Sequence, residues 1–226
     1  MKIVVVYILP ICAGEAYFDY ALRFLESYHR FAPGADHDTV IVLNGGKASA
    51  EITCLFSLLP NCNFLEHDNS GHDIGGYQLA ARMIPCDLMV FLGTSTYFKG
   101  IGWMRRILQS YERHGSALYG VMGNMGDKKV NVYPHIRTTG FWTSPKLMNE
   151  YPIKSISTPQ RYEFEHGKNC LGEFVKRKGL RTWVVTWTGE YEWAQWDSIP
   201  NGFHRGNQSA LLMGDHISEP PYYHTA

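Results

Sequence analysis

The stretch Asn69-Ser70-Gly71-His72-Asp73-Ile74-Gly75-Gly76 decides how this chain is read, together with the residues after it: Leu79, Ala80, Met83 and Ile84, then Asp87-Leu88-Met89-Val90-Phe91-Leu92, then Gly93-Thr94-Ser95. A polar, glycine-rich turn opens a helix, the helix leads into a short apolar run, and the run stops at a small polar triplet. Glycine and asparagine permit backbone conformations that other residues resist, so the turn can be tight. Asp73 stands where a helix begins, a position that favours a carboxylate as a cap and through the helix dipole. The apolar run has the length and composition of a strand buried on both faces.

The same alternation recurs on either side of this stretch. Lys2 to Leu9 is a β-branched apolar run ending at Pro10, and Tyr17 to Phe31 carries a helical stripe through Tyr17, Ala21, Phe24, Leu25 and Tyr28. Thr39 to Leu43 reads as a second strand closed by Asn44-Gly45-Gly46, residues 48 to 59 as a helix, and Asn63 to Glu66 as a third strand. Gly102 to Arg113 is an amphipathic helix through Trp103, Ile107 and Tyr111. Strand and helix in turn predict an α/β fold, a doubly wound and mostly parallel sheet flanked by helices. The turns after its strands then share one edge, where such sheets bind ligands.

Further on, Ala117 to Met122 and Arg137 to Thr143 read as strands, Gly167 to Lys178 as a helix and Arg181 to Thr188 as a strand. Residues 124 to 136 and 149 to 168 read as long loops, and Gly189 to Ala226 as an irregular C-terminal part. No repeat, low-complexity tract or linker divides the chain, so one domain over residues 1–226 is the economical expectation.

Composition narrows the function. Lysine plus arginine number 21 and aspartate plus glutamate 21, so nothing in the balance points to nucleic acid. Cys12, Cys54, Cys62, Cys86 and Cys170 form no CxxC, and scattered thiols fit a reducing, cytoplasmic setting. Ile3 to Cys12 reads as a buried strand rather than an export signal, because its charged flank is only Met1-Lys2 and the bulky Ile11 precedes Cys12. No stretch reaches the length of a membrane span, which leaves peripheral contact with a membrane open. The first strand is followed by no GxGxxG, and no GxxxxGK[ST] or GxSxG occurs, which argues against dinucleotide, P-loop and serine hydrolase chemistry.

The order Asn69-x-Gly71, helix, Asp87 to Leu92, polar triplet, Gly102-Trp103 resembles the donor-binding half of family-two glycosyltransferases. Asn69-Ser70-Gly71-His72-Asp73-Ile74-Gly75 also resembles the Asn-x-Gly-Arg-Asp-Ile-Gly of rhamnan-synthesis glycosyltransferases. The resemblance implies a single GT-A-like domain, Rossmann-like, with a nucleotide-sugar-binding half over 1–116 and an acceptor-binding half over 117–226. It implies a transferase of polysaccharide biosynthesis, with a nucleotide sugar as donor and a glycan or lipid-linked acceptor. A catalytically silent GT-A-like domain that binds glycans or partners is the alternative.

The resemblance places Asn44, Asn69, Asp73, Thr94 and Ser95 near the donor. At the position of the family's metal-binding Asp-x-Asp, however, this chain has Gly93-Thr94-Ser95-Thr96, whose hydroxyls are poor ligands for magnesium or manganese. Either no metal is needed, or other residues hold it, or no transfer occurs. Arg137, His204 and Arg205 are candidates to receive a departing diphosphate. Asp215, His216 and His224, beside Tyr222-Tyr223, are candidates for a divalent metal. Glu163-Phe164-Glu165-His166 precedes the last helix as the family's acidic pair does, so Glu165, then Glu163, is a candidate general base for an inverting transfer. The dipole of that helix would equally explain the two acids. Trp142, in Gly140-Phe141-Trp142-Thr143-Ser144, is either an acceptor-sugar platform or a core residue.

Overall fold

The computed structural model describes residues 1–14, 16–199, 208–216 and 218. In chain order these form β1 (Ile3–Pro10), α1 (Ala16–Arg30), β2 (Asp38–Asn44), α2 (Ala50–Phe56), β3 (Asn63–His67), α3 (His72–Met83), β4 (Leu88–Leu92), β5 (Tyr97–Phe98), α4 (Trp103–His114) and β6 (Leu118–Gly120). They continue through β7 (Gly123–Asn124), β8 (His135–Ile136), β9 (Gly140–Thr143), α5 (Pro145–Glu150), α6 (Thr158–His166), α7 (Leu171–Arg177), β10 (Thr182–Val185), β11 (Glu190–Glu192) and β12 (Met213–Gly214).

A strand covered on both faces needs apolar side chains at successive positions, and β1 supplies them. Ile3, Val5, Tyr7 and Leu9 pack into one core layer with α1, α2 and α4, while Val4, Val6 and Ile8 pack into the other with α3, α5 and α7. Tyr7 stacks on Phe24 with ring centroids 4.1 Å apart. This two-sided burial is the main driving force for the sheet, at roughly 25 cal/mol per Å² of apolar surface removed from water.

One sheet of eight strands results, in the order β11-β10-β6-β9-β4-β1-β2-β3. The pairs β1·β2, β2·β3, β1·β4 and β6·β10 are parallel. β9 runs antiparallel to both β4 and β6, and β11 antiparallel to β10. The sheet is thus mostly parallel and flanked by helices, as the alternation predicts. The chain steps from β1 outward to β2 and β3, then returns through α3 to lay β4 on the opposite side of β1. The strand order therefore reverses between β1 and β4, and a crevice opens beyond their carboxyl ends.

The second half departs from the expectations in detail. Residues 149–168, read as a loop, contain α6, and residues 124–136 contain β8 and a short 3-10 turn at Lys128–Val130. The helix expected over Gly167 to Lys178 is only the seven residues of α7. At the far edge of the sheet, Arg106 of α4 reaches Glu190 of β11, joined by Arg113 at 3.0 Å and His114 at 2.6 Å.

Candidate functional site

The crevice is lined from seven directions. The end of β1 and the turn after it give Ile8, Pro10, Cys12 and Ala13, α1 gives Tyr17 and Tyr20, and the turn into α3 gives Asn69, His72 and Asp73. The turn after β4 gives Gly93, Thr94 and Ser95, the approach to β9 gives Arg137, Thr138 and Thr139, and α6 gives Arg161 and Glu165. Asp215 and His216 close the ring in a cavity of about 560 Å³, ample for a sugar nucleotide.

The glycine-rich turn is built for close approach. Gly71 has φ +69°, and a Cβ there would run into the carbonyl oxygen of Ser155. Asn69 and His72 also have positive φ, at 68° and 55°, so the turn concentrates strain where such strain is usually functional. The result aims Asp73 into the pocket from the first turn of α3. Its Oδ1 is shut off from solvent and has no hydrogen-bond partner. Burial, with the charge of Glu165 adding to it, pushes the Asp73 carboxyl up to about 6, against the pull of Arg161.

Gly93-Thr94-Ser95 is fastened rather than open. The Tyr7 hydroxyl donates to the Thr94 carbonyl at 2.6 Å, the Thr94 hydroxyl donates to the Ile8 carbonyl at 3.1 Å, and the Gly93 amide donates to Thr139 at 2.9 Å. Only Ser95 turns its hydroxyl toward another candidate, at 2.8 Å from Nδ1 of His216. Thr94 and Ser95 therefore line the pocket, but their hydroxyls are largely engaged.

Asp215 is buried and fully committed. Its Oδ2 accepts from Thr139 at 2.6 Å and lies 3.5 Å from Arg137, and its Oδ1 accepts from the Ser218 amide at 2.8 Å. Burial pushes its carboxyl up, but Arg137, Thr139 and Ser218 together outweigh that and hold it below the usual carboxylate range. No group of three or more histidine, cysteine, aspartate or glutamate side chains among the described residues could hold a metal ion. At the end of β4 no carboxylate replaces the family's acidic motif and the hydroxyls of Thr94 and Ser95 are engaged, so these residues do not fit the divalent cation that the family resemblance implies.

Glu163 and Glu165 separate cleanly. They do precede α7, but they lie in the last turn of a helix of their own, α6, so the dipole there disfavours rather than explains them. Two residues apart on a helix, they point about 200° from one another, and only one can face the pocket. That one is Glu165, whose Oε1 accepts from the Thr138 hydroxyl at 2.7 Å. Glu163 instead accepts from the Asn169 amide at 2.6 Å and serves the link to α7.

Two other sequence candidates are structural. Trp142 is fully buried and stacked on Tyr119, because β9 is covered on both faces, so it offers no sugar platform. Asn44 is 1% exposed, pairs with Nδ1 of His67 at 2.8 Å and does not line the pocket. His204, Arg205 and His224 lie outside the described residues. Sequence reading missed Arg161, Thr138 and Thr139, which carry no local signature, and Cys12, whose Sγ accepts from Asn69 at 3.3 Å.

No family model and no curated protein matches this chain. Among solved structures it is similar to the TarS 1–349 fragment of S. aureus in complex with UDP-GlcNAc, at 14% identity and TM-score 0.51, covering 75% of this chain and 54% of that one. The chain thus spans about half the length of the TarS fragment. It is also similar to HddC from Yersinia pseudotuberculosis complexed with GMP-PN, at 16% identity and TM-score 0.51, covering 100% of this chain and 98% of that one. These likenesses show that the chain, with its mostly parallel sheet flanked by helices, has a GT-A-like fold.

Proposed function

We propose that this chain is a glycosyltransferase that moves a sugar from a nucleoside diphosphate donor to a hydroxyl of a glycan or lipid-linked acceptor, with inversion and without a metal. The observation that carries this reading is the placement of Glu165. A carboxylate oriented by Thr138 faces a crevice at the switch point of a nucleotide-sugar transferase fold. The side occupied by Cys12, Asn69 and Tyr17 suits the nucleoside, and Arg137, Ser95 and His216 suit the diphosphate.

In this reading Glu165 takes the proton of the acceptor hydroxyl as its oxygen attacks the anomeric carbon. The bond from that carbon to the diphosphate breaks in the same displacement, and the electron pair leaves with the nucleoside diphosphate. Arg137, Ser95 and His216 line the part of the pocket where that charge develops. A place in cytoplasmic polysaccharide biosynthesis goes with this reading. No described helix is long and apolar enough to cross a membrane, so a lipid-linked acceptor would be met at a membrane surface.

The test is a thermal-shift screen of nucleoside diphosphates and nucleotide sugars in EDTA, magnesium and manganese, followed by transfer assays with whichever donor binds. UDP-GlcNAc is the first donor to try, because TarS is solved with it. Stabilisation in EDTA followed by turnover is expected, since a ligand selective for the native state raises stability by mass action. Turnover that requires manganese would overturn the metal-free mechanism. Gly93-Thr94-Ser95 favours one second reading, a silent domain of the same fold. It predicts binding without transfer or hydrolysis.

A further inference from the structure

Three side-chain polar atoms of α3 and α6 are buried without a hydrogen-bond partner, Nδ1 of His166 and two that belong to residues of opposite charge: Oδ1 of Asp73 and Nε of Arg161. Asp73 and Arg161 both line the pocket, and Glu165 lines the same corner one helical turn beyond Arg161. Buried donors and acceptors in native proteins are almost always satisfied, so an unsatisfied pair aimed into a cavity marks a place where a ligand completes the set. What it asks for is a group able to accept from a guanidinium and donate to a carboxylate. A hydroxyl does both. A diphosphate cannot donate, and here it would meet two carboxylates against a single guanidinium.

We infer that Asp73, Arg161 and Glu165 form the subsite for the transferred sugar, with Arg161 donating to one ring hydroxyl and Asp73 accepting from another. The diphosphate then lies away from this corner. The inference rests on the reading that the pocket takes a nucleotide sugar, and it adds Arg161, a residue that no sequence motif marks. It also couples two tasks on one helix, since α6 that grips the sugar through Arg161 carries the candidate base at Glu165. Arg161 is on this view a specificity residue, sensing the sugar rather than the nucleotide.

The experiment is calorimetric titration of the intact chain and of Arg161→Gln with UDP, UDP-GlcNAc, GDP and GDP-mannose. For the pair that the parent chain binds, Arg161→Gln is expected to weaken the sugar nucleotide roughly tenfold to a hundredfold and the bare diphosphate less than about threefold. Asp73→Asn should give the same selective loss, which guards against a folding defect peculiar to one variant. Equal weakening of both ligands would put Arg161 on the diphosphate and overturn the assignment, and so would no weakening of either. If the parent chain binds none of the four, the nucleotide-sugar reading itself falls, and that result is distinct from the others.

Discussion

Two carboxylates in charged company, Glu190 and Asp73, are treated by the chain in opposite ways. Glu190 is met by Arg106, Arg113 and His114; burial pushes its carboxyl up, but the two guanidiniums and the hydrogen bond to His114 outweigh that and hold it below its ordinary value of 4.5. Asp73 has an orphaned oxygen, a like charge nearby, and a carboxyl pushed up to about 6. The first cluster is complete within the protein and ties α4 to the sheet edge. The second leaves Oδ1 of Asp73 without a partner, and the proposed sugar subsite rests on that difference.

The largest expected effect lies at the open cluster. Glu165→Gln should lower transfer by about 10²- to 10⁴-fold while the thermal midpoint stays close to that of the parent. Full activity in that variant would remove Glu165 from the mechanism. At the closed cluster the consequences reverse. Glu190→Ala leaves Arg106 with only the Thr186 and Gly189 carbonyls and should cost about 3 kcal/mol in urea unfolding, with ligand affinity unchanged in the folded fraction.

The two carboxylates should also give stability curves of opposite slope. Glu190 binds its proton less readily in the folded chain, so its contribution is present above 4.5 and is lost as pH falls through its depressed folded value. Asp73 binds its proton more readily in the folded chain. Its contribution is fully present below 3.8 and is lost as pH rises through about 6. Asp73→Asn should therefore flatten the curve between these values and raise stability at pH 7 by on the order of 2 kcal/mol. A curve unchanged by that substitution would mean that Asp73 is solvated. The smallest effect separates the neighbouring acids: Glu163→Ala should cost about 1 kcal/mol through the lost Asn169 contact and leave transfer within about twofold.

The first half of the fold was legible because burial on both faces forces continuous apolar runs, and Ile3–Pro10, Asp38–Asn44 and Leu88–Leu92 all have them. Asp73 was legible too, since its helix start and flanking glycines are local features. α6 was not, because Phe164 is its one fully buried side chain and no apolar stripe announces it. Its punctuation was nevertheless present, in Ser157 at the N-cap with Pro159 just inside the helix. Missing α6 put Glu163 and Glu165 at a helix start and hid Arg161, which acquires meaning only from the pocket it reaches. Trp142 shows the converse. An aromatic residue next to a candidate site reads as a platform until the topology places β9 in the middle of the sheet.

The pairing of β4 with β9 has a mechanical consequence. Everything up to α4 contributes β3-β2-β1-β4 to the sheet, everything after it contributes β9-β6-β10-β11, and four residue pairs from Met89·Thr143 to Leu92·Gly140 stitch the two together. A cut at the exposed Gly115-Ser116 would yield two fragments, each with a raw edge that matches the other. The pocket straddles that seam, taking Asp73 from one fragment and Arg161 and Glu165 from the other. Under the proposed function neither fragment alone is expected to bind a nucleotide sugar, and binding regained on mixing would report how firmly the seam has closed.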